Sequence, residues 1–176
     1  YALTLGVHSR IEETIAAVIE GSRAGNVYVN RNMIGAVVGV QPFGGEGLSG
    51  TGPKAGGPLQ LLRLLSRAPA EAVRRALGEG DAVRRSVALD ALHAWARERG
   101  DAPLAQCCQD VAAQAPGAVA LRLPGPTGER NVYTVQGRRR VLCEAASQDD
   151  LLAQLEAVLA VRGHAVLARP HAALHA

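Results

Sequence analysis

The residues best suited to chemistry lie in and just before a glycine-rich loop, residues 41–52 (QPFGGEGLSGTG). Gly35 and Ala36 are small residues near a predicted strand end, where backbone N–H groups can approach a ligand closely. Consecutive exposed N–H groups can bind an anion without any cation. Phe43, the only phenylalanine, is suited to packing against a ligand's aliphatic carbons. We therefore predict a binding site at these three residues. The alternative is a structural loop that the phenylalanine anchors.

The same loop contains a match to the dinucleotide fingerprint G-x-G-x-x-G, from Gly45 to Gly50. That fingerprint requires a strand directly before its first glycine and a helix that begins at its last. Residues 41–44 separate any strand from Gly45, and Pro53 with two following glycines disfavours a helix. The sequence therefore predicts no dinucleotide site and no other cofactor site in this chain.

Cysteine and histidine supply the remaining reactive side chains. Cys107 and Cys108 fall on the apolar face of a predicted helix, and Cys143 falls in an apolar strand. A catalytic thiolate needs a basic partner, a helix N-terminus or a metal to lower its pKa, so we predict three buried structural cysteines. His171 and His175 are four residues apart, but no acid or cysteine accompanies them. We predict no metal site.

The elements that must position the loop form a β-α-β unit. Tyr1–Val7 has the pattern of a strand, and Arg10–Arg23 that of a helix with Ser9 as its cap and Gly25 as its stop. Asn26–Asn30 alternates as a second strand, which favours parallel pairing. The predicted apolar face of the helix comprises Ile11, Ile15, Val18 and Ile19. After the loop, the short apolar run Leu59–Leu65 is a further candidate helix.

The composition changes near Arg67, where glycine becomes scarcer and arginine and alanine more frequent. We therefore predict two segments: 1–67, which contains the loop, and 68–176, with helices followed by mixed α/β structure. The expected fold class is α/β. The predicted elements of the second segment are a helix over Asp81–Arg99, a helix capped by Asp101, strands at Ala118–Leu123, Val132–Val135, Val141–Cys143 and Ala165–Ala168, and a helix from Ser147 to Gly163.

Three amphipathic helices are predicted within this second segment. In the first helix the expected buried residues are Val83, Val87, Ala88, Ala91, Leu92 and Trp95. In the second they are Leu104, Cys107, Cys108, Val111 and Ala115. The third helix should bury Leu151, Leu152, Leu155, Val158 and Leu159.

Composition and charge exclude several classes of function. The 176 residues carry a net charge of +3, and no run of like charge exceeds three residues, so we expect no nucleic-acid binding through this chain. No apolar run approaches the roughly 20 residues that span a bilayer. The chain lacks an initiator Met and opens as a strand, so we expect a piece of a longer protein. Its three cysteines form no disulfide framework, so we expect a cytoplasmic location.

Two stretches resemble a known family. GNVYVNRNMIGAVVGVQPFGGEGLSGTGPKAGGP, Gly25–Pro58, is similar to the C-terminal part of aldehyde dehydrogenases, above all the L-glutamate γ-semialdehyde dehydrogenase module of bacterial proline utilization A flavoenzymes. ALTLGVHSRIEETI resembles the same module just upstream. LPGPTGERNVYTV, Leu123–Val135, resembles a stretch in the C-terminal region of long family members.

The resemblance implies a bifunctional enzyme of proline catabolism. In it, an FAD-dependent proline dehydrogenase is coupled to an NAD-dependent step that oxidises glutamate semialdehyde to glutamate. Backbone groups of Gly35 and Ala36 would bind the substrate's carboxylate and ammonium end, and Phe43 would pack against its aliphatic chain. Some relatives have Ser at the position of Ala36, so this chain lacks one hydroxyl donor, a difference of about 1 kcal/mol.

The resemblance also implies what this chain lacks. The catalytic cysteine, the general-base glutamate and the cofactor-binding half would lie upstream, so the chain alone should be inactive. Residues from about 70 onward would begin an extra, incomplete Rossmann-like C-terminal domain without catalytic function. The partners implied are the rest of the same polypeptide and further copies in a homo-oligomer. An alternative is that residues 68–176 form an interaction module that docks onto another domain or subunit.

Overall fold

The computed structural model describes residues 1–69, 71–78, 86–115 and 119–167. Within these ranges the chain divides into two compact units. The first contains Tyr1–Ala72 together with Arg122–Tyr133, and the second contains Val73–Leu121 and the described residues from Thr134 onward. The segment from Arg122 to Tyr133 therefore packs with the loop-bearing unit. The two segments predicted from the change in composition, 1–67 and 68–176, are defined differently from these units and remain a prediction.

The first unit begins with the expected β-α-β arrangement. Strand β1 (Ala2–Val7) is followed by helix α1 (Glu12–Gly21) and strand β2 (Ala24–Val29). The two strands pair in parallel, with Ala2 opposite Ala24 and Val7 opposite Val29. After β2 the chain forms irregular loops, a 3-10 turn at Gly47–Ser49 and another at Leu61–Leu64. The helix predicted over Leu59–Leu65 is thus reduced to one 3-10 turn.

The predicted start of α1 is wrong in detail. The N-cap is Ile11, which has no side chain able to cap, and Ser9 lies outside the helix. The Ser9 hydroxyl instead accepts a hydrogen bond from the Ile11 N–H at 3.0 Å. The Ser9 backbone is engaged by Asn30, whose Oδ1 accepts from the Ser9 N–H and whose Nδ2 donates to the Ser9 carbonyl, both at 2.9 Å. This two-pronged pairing fixes the ends of both strands.

The predicted stop of α1 is also wrong, and the apolar face of the helix is not buried. The helix ends at Gly21, and Gly25 lies inside β2. No residue of α1 is buried among the described residues, and Ile11 and Ile19 are 59% and 49% exposed. The apolar pattern therefore marks a face that the described part of this chain does not cover.

The second unit contains helices α2 (Ala72–Leu77, whose first residue belongs to the first unit), α3 (Val87–Glu98) and α4 (Ala102–Gln114). The predicted cap of α4 is confirmed, because the Asp101 carboxylate accepts the Leu104 N–H at 3.0 Å. Helix α3 is capped by Ser86, whose hydroxyl accepts the Leu89 N–H. Residues 81–85, where we expected this helix to begin, lie outside the described residues.

The predicted buried face of α3 is wrong by a rotation about the helix axis. Leu89 and Ala96 are buried, whereas Val87 is 82% exposed. Ala88 and Ala91 are exposed as well, while Leu92 and Trp95 are partly buried. In α4, Leu104 and Cys108 are buried as expected, but Cys107 is exposed, which corrects its predicted burial. Several alanines allow more than one apolar stripe, so the periodicity alone could not choose between faces.

The remaining elements form two separate pairs of strands. Strands β3 (Val119–Leu123) and β4 (Asn131–Val135) make a two-stranded sheet. Strand β5 (Arg140–Cys143), helix α5 (Gln148–Ala160) and strand β6 (His164–Leu167) make a second β-α-β unit with parallel strands. Ser147 caps α5 as predicted, because its hydroxyl accepts the Asp150 N–H at 3.1 Å. The α/β class is confirmed. Residues 118 and 168, at predicted strand ends, lie outside the described residues.

The core of the second unit lies where α3, α4 and α5 meet. Its buried members are Leu89, Ala96, Leu104, Ala105, Cys108, Leu152 and Ala160. A second cluster beneath the sheet consists of Cys143, Leu151 and Val158. Leu155 and Leu159, which we expected to be buried, are partly buried. No helix among the described residues is long and apolar enough to cross a membrane.

Glu156 is a buried acid in this unit. Burial raises the pKa of its carboxyl, and the negative charge of Asp101 adds to that effect. The folded state therefore holds the Glu156 proton more tightly than the unfolded state does. The resulting stabilisation is present at low pH and is lost as the pH rises through the raised pKa.

We accordingly expect Glu156→Gln, which removes the buried charge, to raise the free energy of unfolding of the second unit at neutral pH. The gain should vanish below about pH 4, where both states of the wild type are protonated. Hydrogen exchange of α5 peptides, corrected for intrinsic rates, measures this. Glu144→Gln, at an exposed acid, is the matched control. Equal effects of the two substitutions at every pH would contradict the prediction.

Candidate functional site

Phe43 is held in place by hydrogen bonds on both sides of its backbone. Its N–H donates to the Ala55 carbonyl at 3.0 Å, and its carbonyl accepts from the Ala55 N–H at 2.9 Å. The side chain of Asn26, in β2, donates to the Pro42 carbonyl at 2.9 Å and accepts from the Gly44 N–H at 3.3 Å. The half-buried ring is therefore presented from a fixed backbone, although no regular strand or helix surrounds it.

Lys54, the only lysine of the chain, adds a third fixed point. Its Nζ donates to the carbonyl of Gly44 at 2.7 Å and to the carbonyl of Gly25 in β2. Burial lowers the pKa of this amine, and the negative charge of Glu46 opposes the shift. A partly desolvated ammonium that bonds two carbonyls acts as a cross-link between the strand and the loop.

Gly25 allows this cross-linked approach. A Cβ atom at position 25 would lie 1.9 Å from the Gly44 carbonyl oxygen and 2.6 Å from the Gly45 Cα. The loop backbone therefore occupies the space that any other residue would need. Gly25 is part of the support for the site, which is a different role from the helix stop that we predicted.

The Gly35–Ala36 amides lie between two amides that side chains already engage. The Ile34 N–H donates to the Asn32 side-chain oxygen at 3.2 Å, and the Val37 N–H donates to Gln41 Oε1 at 3.0 Å. Neither amide of Gly35–Ala36 donates a hydrogen bond within the part of the chain that the structure describes. Two consecutive donors are thus left for a ligand in a segment whose neighbours are fixed.

Gly35 adopts a left-handed backbone conformation, with φ at +69°. A Cβ at this position would meet no atom within 4 Å, so the demand for glycine is conformational rather than steric. An alternation of right- and left-handed residues is the geometry that turns successive N–H groups toward one anion. The positive φ of Gly35 is one of the two conformations that such an alternation requires.

The three predicted residues lie on one loop in two parts. A turn, in which the Val40 and Gln41 N–H groups donate to the Val37 carbonyl, separates Gly35–Ala36 from Phe43. No hydrogen bond joins the two parts directly within the described residues. The loop thus has a polar part, the Gly35–Ala36 amides, and an apolar part, the Phe43 ring. A ligand with one polar and one apolar end would need both.

The Gly45–Gly50 segment does not fit a dinucleotide pyrophosphate. It forms a short 3-10 turn, and no α-helix begins at Gly50. The N–H groups of Glu46, Ser49 and Gly50 already donate to Ser49 Oγ and to the carbonyls of Glu46 and Gly47, respectively. A Cβ at Gly45 would collide with the Ser49 carbonyl, so its missing side chain serves internal packing.

Sequence reasoning missed four supporting residues: Asn26, Asn30, Lys54 and Glu129. Asn30 has φ at +55°, a conformation that asparagine tolerates better than most residues. The signal for Lys54 was available, because a lone lysine in an arginine-rich chain is unusual. Glu129, whose carboxylate accepts hydrogen bonds from Arg31 and Gln41, had no signal in the loop itself, since it follows Arg31 by 98 residues.

The described residues contain no group of three or more His, Cys, Asp or Glu side chains that could hold a metal ion. His171 and His175, the pair considered from the sequence, lie outside the described residues. Among the described residues, the polar groups that the site offers to a ligand are therefore backbone amides rather than metal-ligating side chains.

Comparison with known proteins gives consistent matches. The aldehyde dehydrogenase family matches residues 1–66. The chain is 56% identical over 170 residues to the bifunctional protein PutA of Klebsiella aerogenes, covering 92% of this chain and 13% of that protein. It is 53% identical over 184 residues to PutA of Escherichia coli (strain K12), covering 99% of this chain and 14% of that protein.

Shorter matches involve separate enzymes and a solved structure. The 1-pyrroline-5-carboxylate dehydrogenase of Geobacillus sp. (strain WCH70) is 48% identical over 62 residues, which are 35% of this chain and 12% of that enzyme. A structure of proline utilization A with proline bound in remote sites is 75% identical over 36% of this chain and 6% of its own, with a TM-score of 0.34.

The matches to PutA cover 92–99% of this chain. The aldehyde dehydrogenase family matches only residues 1–66, and the match to 1-pyrroline-5-carboxylate dehydrogenase covers 35% of this chain. The chain spans only 13–14% of the length of the curated PutA relatives. On the identity of 53–56% over nearly all its residues, the chain belongs to the PutA family, and residues 1–66 are its aldehyde dehydrogenase portion.

Proposed function

We propose that this chain is part of a longer bifunctional PutA enzyme and supplies the anchor for the amino-acid end of L-glutamate γ-semialdehyde. The observation that carries the proposal is the pair of consecutive unengaged amides at Gly35–Ala36, between amides fixed by Asn32 and Gln41. These amides would bind the substrate carboxylate. Phe43, fixed through its backbone, would pack against the aliphatic carbons and direct the aldehyde carbon toward the catalytic groups.

The reacting groups would come from other parts of the polypeptide. The substrate is oxidised by a thiolate nucleophile and a hydride acceptor, and no cysteine here suits that role. Burial raises the pKa of the Cys108 thiol to about 11, with a further contribution from the charge of Glu156. Cys143 is also buried, and Cys107 is in the second unit, not on the anchor loop. A nucleophilic cysteine requires the opposite shift.

The cofactors follow from the family and are assigned to the rest of the protein. NAD would accept the hydride, and FAD would serve the coupled proline dehydrogenase. The segment Gly45–Gly50 has no following α-helix for a pyrophosphate, and the amides of Glu46, Ser49 and Gly50 already donate within it. The three thiols, free in the structure, are consistent with a reducing cytoplasm. A homo-oligomer remains part of the proposal.

For the second unit, two roles remain open: an incomplete Rossmann-like structural domain and an interaction module. The β5–α5–β6 unit favours a docking role. Its parallel strands pair only with each other among the described residues, and the opposed residues Leu142 and Val166 are 63% and 43% exposed. Parallel sheets are normally covered on both faces. We propose that the rest of the same polypeptide covers this sheet and the exposed face of α1.

The test of the anchor is Ala36→Pro in the full-length enzyme. Proline removes one of the two donors, and it restricts Gly35, whose positive φ the preceding-proline geometry disfavours. We expect kcat/KM for glutamate semialdehyde to fall about tenfold or more, the effect of losing one charge-assisted bond. Propionaldehyde, which lacks the amino-acid end, should lose much less.

Val38→Pro is the matched control for loop distortion. Val38 is 97% exposed and its N–H donates no bond within the described part of the chain. Val38→Pro should therefore change kcat/KM for glutamate semialdehyde and for propionaldehyde by the same factor. Equal losses on both aldehydes in Ala36→Pro would contradict the anchor role.

A further inference from the structure

Glu129 lies at the tip of the β3–β4 connection, in the same compact unit as the anchor loop. Its two carboxylate oxygens contact two different loop residues. Oε1 accepts from Arg31 NH1 at 3.2 Å, and Oε2 accepts from Gln41 Nε2 at 3.5 Å. One carboxylate thus reaches both ends of segment 31–41, which contains the unengaged amides.

The contact with Gln41 controls which way its amide points. Gln41 Oε1 accepts the Val37 N–H at 3.0 Å, while its Nε2 faces the Glu129 carboxylate. An N–H on one side and a carboxylate on the other are compatible with only one orientation of a side-chain amide. Without the carboxylate, the amide can rotate and release the Val37 N–H that borders Gly35–Ala36.

The contact with Arg31 fixes the other end of the segment. The Arg31 guanidinium lies over the Tyr28 ring, 5.3 Å from its centre, and Tyr28 is buried in β2. The guanidinium is therefore held between an aromatic face and the Glu129 carboxylate. Arg31 directly precedes Asn32, the residue whose side chain holds the Ile34 N–H.

We propose that Glu129 is a positioning residue for the amino-acid anchor. By holding Arg31 and Gln41 it keeps the Gly35–Ala36 amides directed at the substrate carboxylate, although it touches neither the substrate nor those amides. The inference rests on the proposed function. The Glu129 and Arg31 side chains are 33% and 27% exposed, so solvent screens the pair. Its removal should therefore change binding by about three- to fivefold rather than by orders of magnitude.

The test is Glu129→Gln in the full-length enzyme, a substitution of the same shape. It places an amide nitrogen or a neutral oxygen where the carboxylate faced two donors. KM for glutamate semialdehyde should rise about three- to fivefold, with kcat and the KM for propionaldehyde unchanged. Arg130→Gln, at the exposed neighbouring residue, is the control and should leave all these constants unchanged.

An exchange of partners provides the rescue. Gln41→Glu alone sets two carboxylates against each other and should also raise KM. In the double variant Gln41→Glu with Glu129→Gln, the amide at 129 can donate to the carboxylate at 41, which still accepts the Val37 N–H. We expect KM to return to within about twofold of the wild type, a coupling that independent sites would not show.

The outcomes separate this inference from the proposed function. If Ala36→Pro discriminates between the two aldehydes but Glu129→Gln does not, the positioning role of Glu129 is overturned and the anchor stands. If neither variant discriminates between the two aldehydes, both the anchor role of Gly35–Ala36 and the positioning role of Glu129 are overturned. Additive effects in the double variant also overturn the inference. Hydrogen exchange of peptides within residues 31–41 should quicken in Glu129→Gln and not in Arg130→Gln, and a global loss of protection would contradict a positioning role.

Discussion

Replacing Gly25 by alanine should strongly disrupt the packing of the anchor loop against strand β2. The new Cβ would lie 1.9 Å from the Gly44 carbonyl oxygen, a distance that only backbone movement can relieve. Gly44 cannot move freely, because Asn26 holds its N–H and Lys54 holds its carbonyl. We expect a destabilisation of about 3 kcal/mol, at the upper end for overpacking.

Hydrogen exchange in the full-length protein measures this effect locally. Peptides covering β2 and residues 42–45 should exchange roughly a hundredfold faster in Gly25→Ala, the equivalent of that free energy. Activity toward both glutamate semialdehyde and propionaldehyde should fall, because Phe43 loses its position as well. An insoluble Gly25→Ala beside a soluble control would point the same way.

Gly21→Ala is the matched control, four residues earlier. Gly21 lies in α1, and a Cβ added there would meet no heavy atom within 4 Å. Alanine is also the better helix former, so the substitution should be neutral or stabilising by up to about 1 kcal/mol. If the two variants exchange alike, the close packing of β2 against the loop is refuted.

The comparison of Gly25 with Gly35 shows what a sequence can predict about such a site. Small residues near a predicted strand end suggest exposed amides at Gly35, although strand β2 ends at Val29 and Gly35 lies in an irregular loop with φ at +69°. The sequence predicts a helix stop at Gly25, because glycine commonly follows a helix. Its actual role depends on Gly44, a residue 19 positions away, and local pattern carries no information about such contacts.

The elements themselves were largely predictable, since they depend on local signals. Asp101 and Ser147 were identified as helix caps because their side chains can bond N–H groups three residues later, and both do so. The first β-α-β unit also follows from short-range alternation and helical periodicity. The strands and helix of the second follow in the same way, but their parallel pairing was not predicted. The face of α3 did not follow, because burial of Leu89 rather than Val87 is decided by packing against α4 and α5.

Replacement of Lys54 gives the second large effect. In Lys54→Met the carbonyls of Gly25 and Gly44 each lose a charged donor. Each such bond is worth about 1.5–3 kcal/mol, but removing the ammonium also removes the cost of its burial. We therefore expect a net loss of about 2 kcal/mol, seen as exchange of peptides covering residues 42–45 that is roughly thirtyfold faster.

The substitution keeps most of the side-chain volume, so the change reports the bonds rather than a cavity. Arg67→Met, which removes an exposed cation from the same unit, controls for the altered net charge and should leave exchange unchanged.

Measurements of activity should distinguish the role of Lys54 from that of the anchor amides, since a displaced Phe43 weakens the binding of every aldehyde with an aliphatic chain. Lys54→Met should therefore raise KM for propionaldehyde and glutamate semialdehyde together, whereas Ala36→Pro affects mainly the latter. An effect of Lys54→Met confined to glutamate semialdehyde would instead place the lysine in direct contact with the substrate carboxylate and remove it from the supporting cross-link.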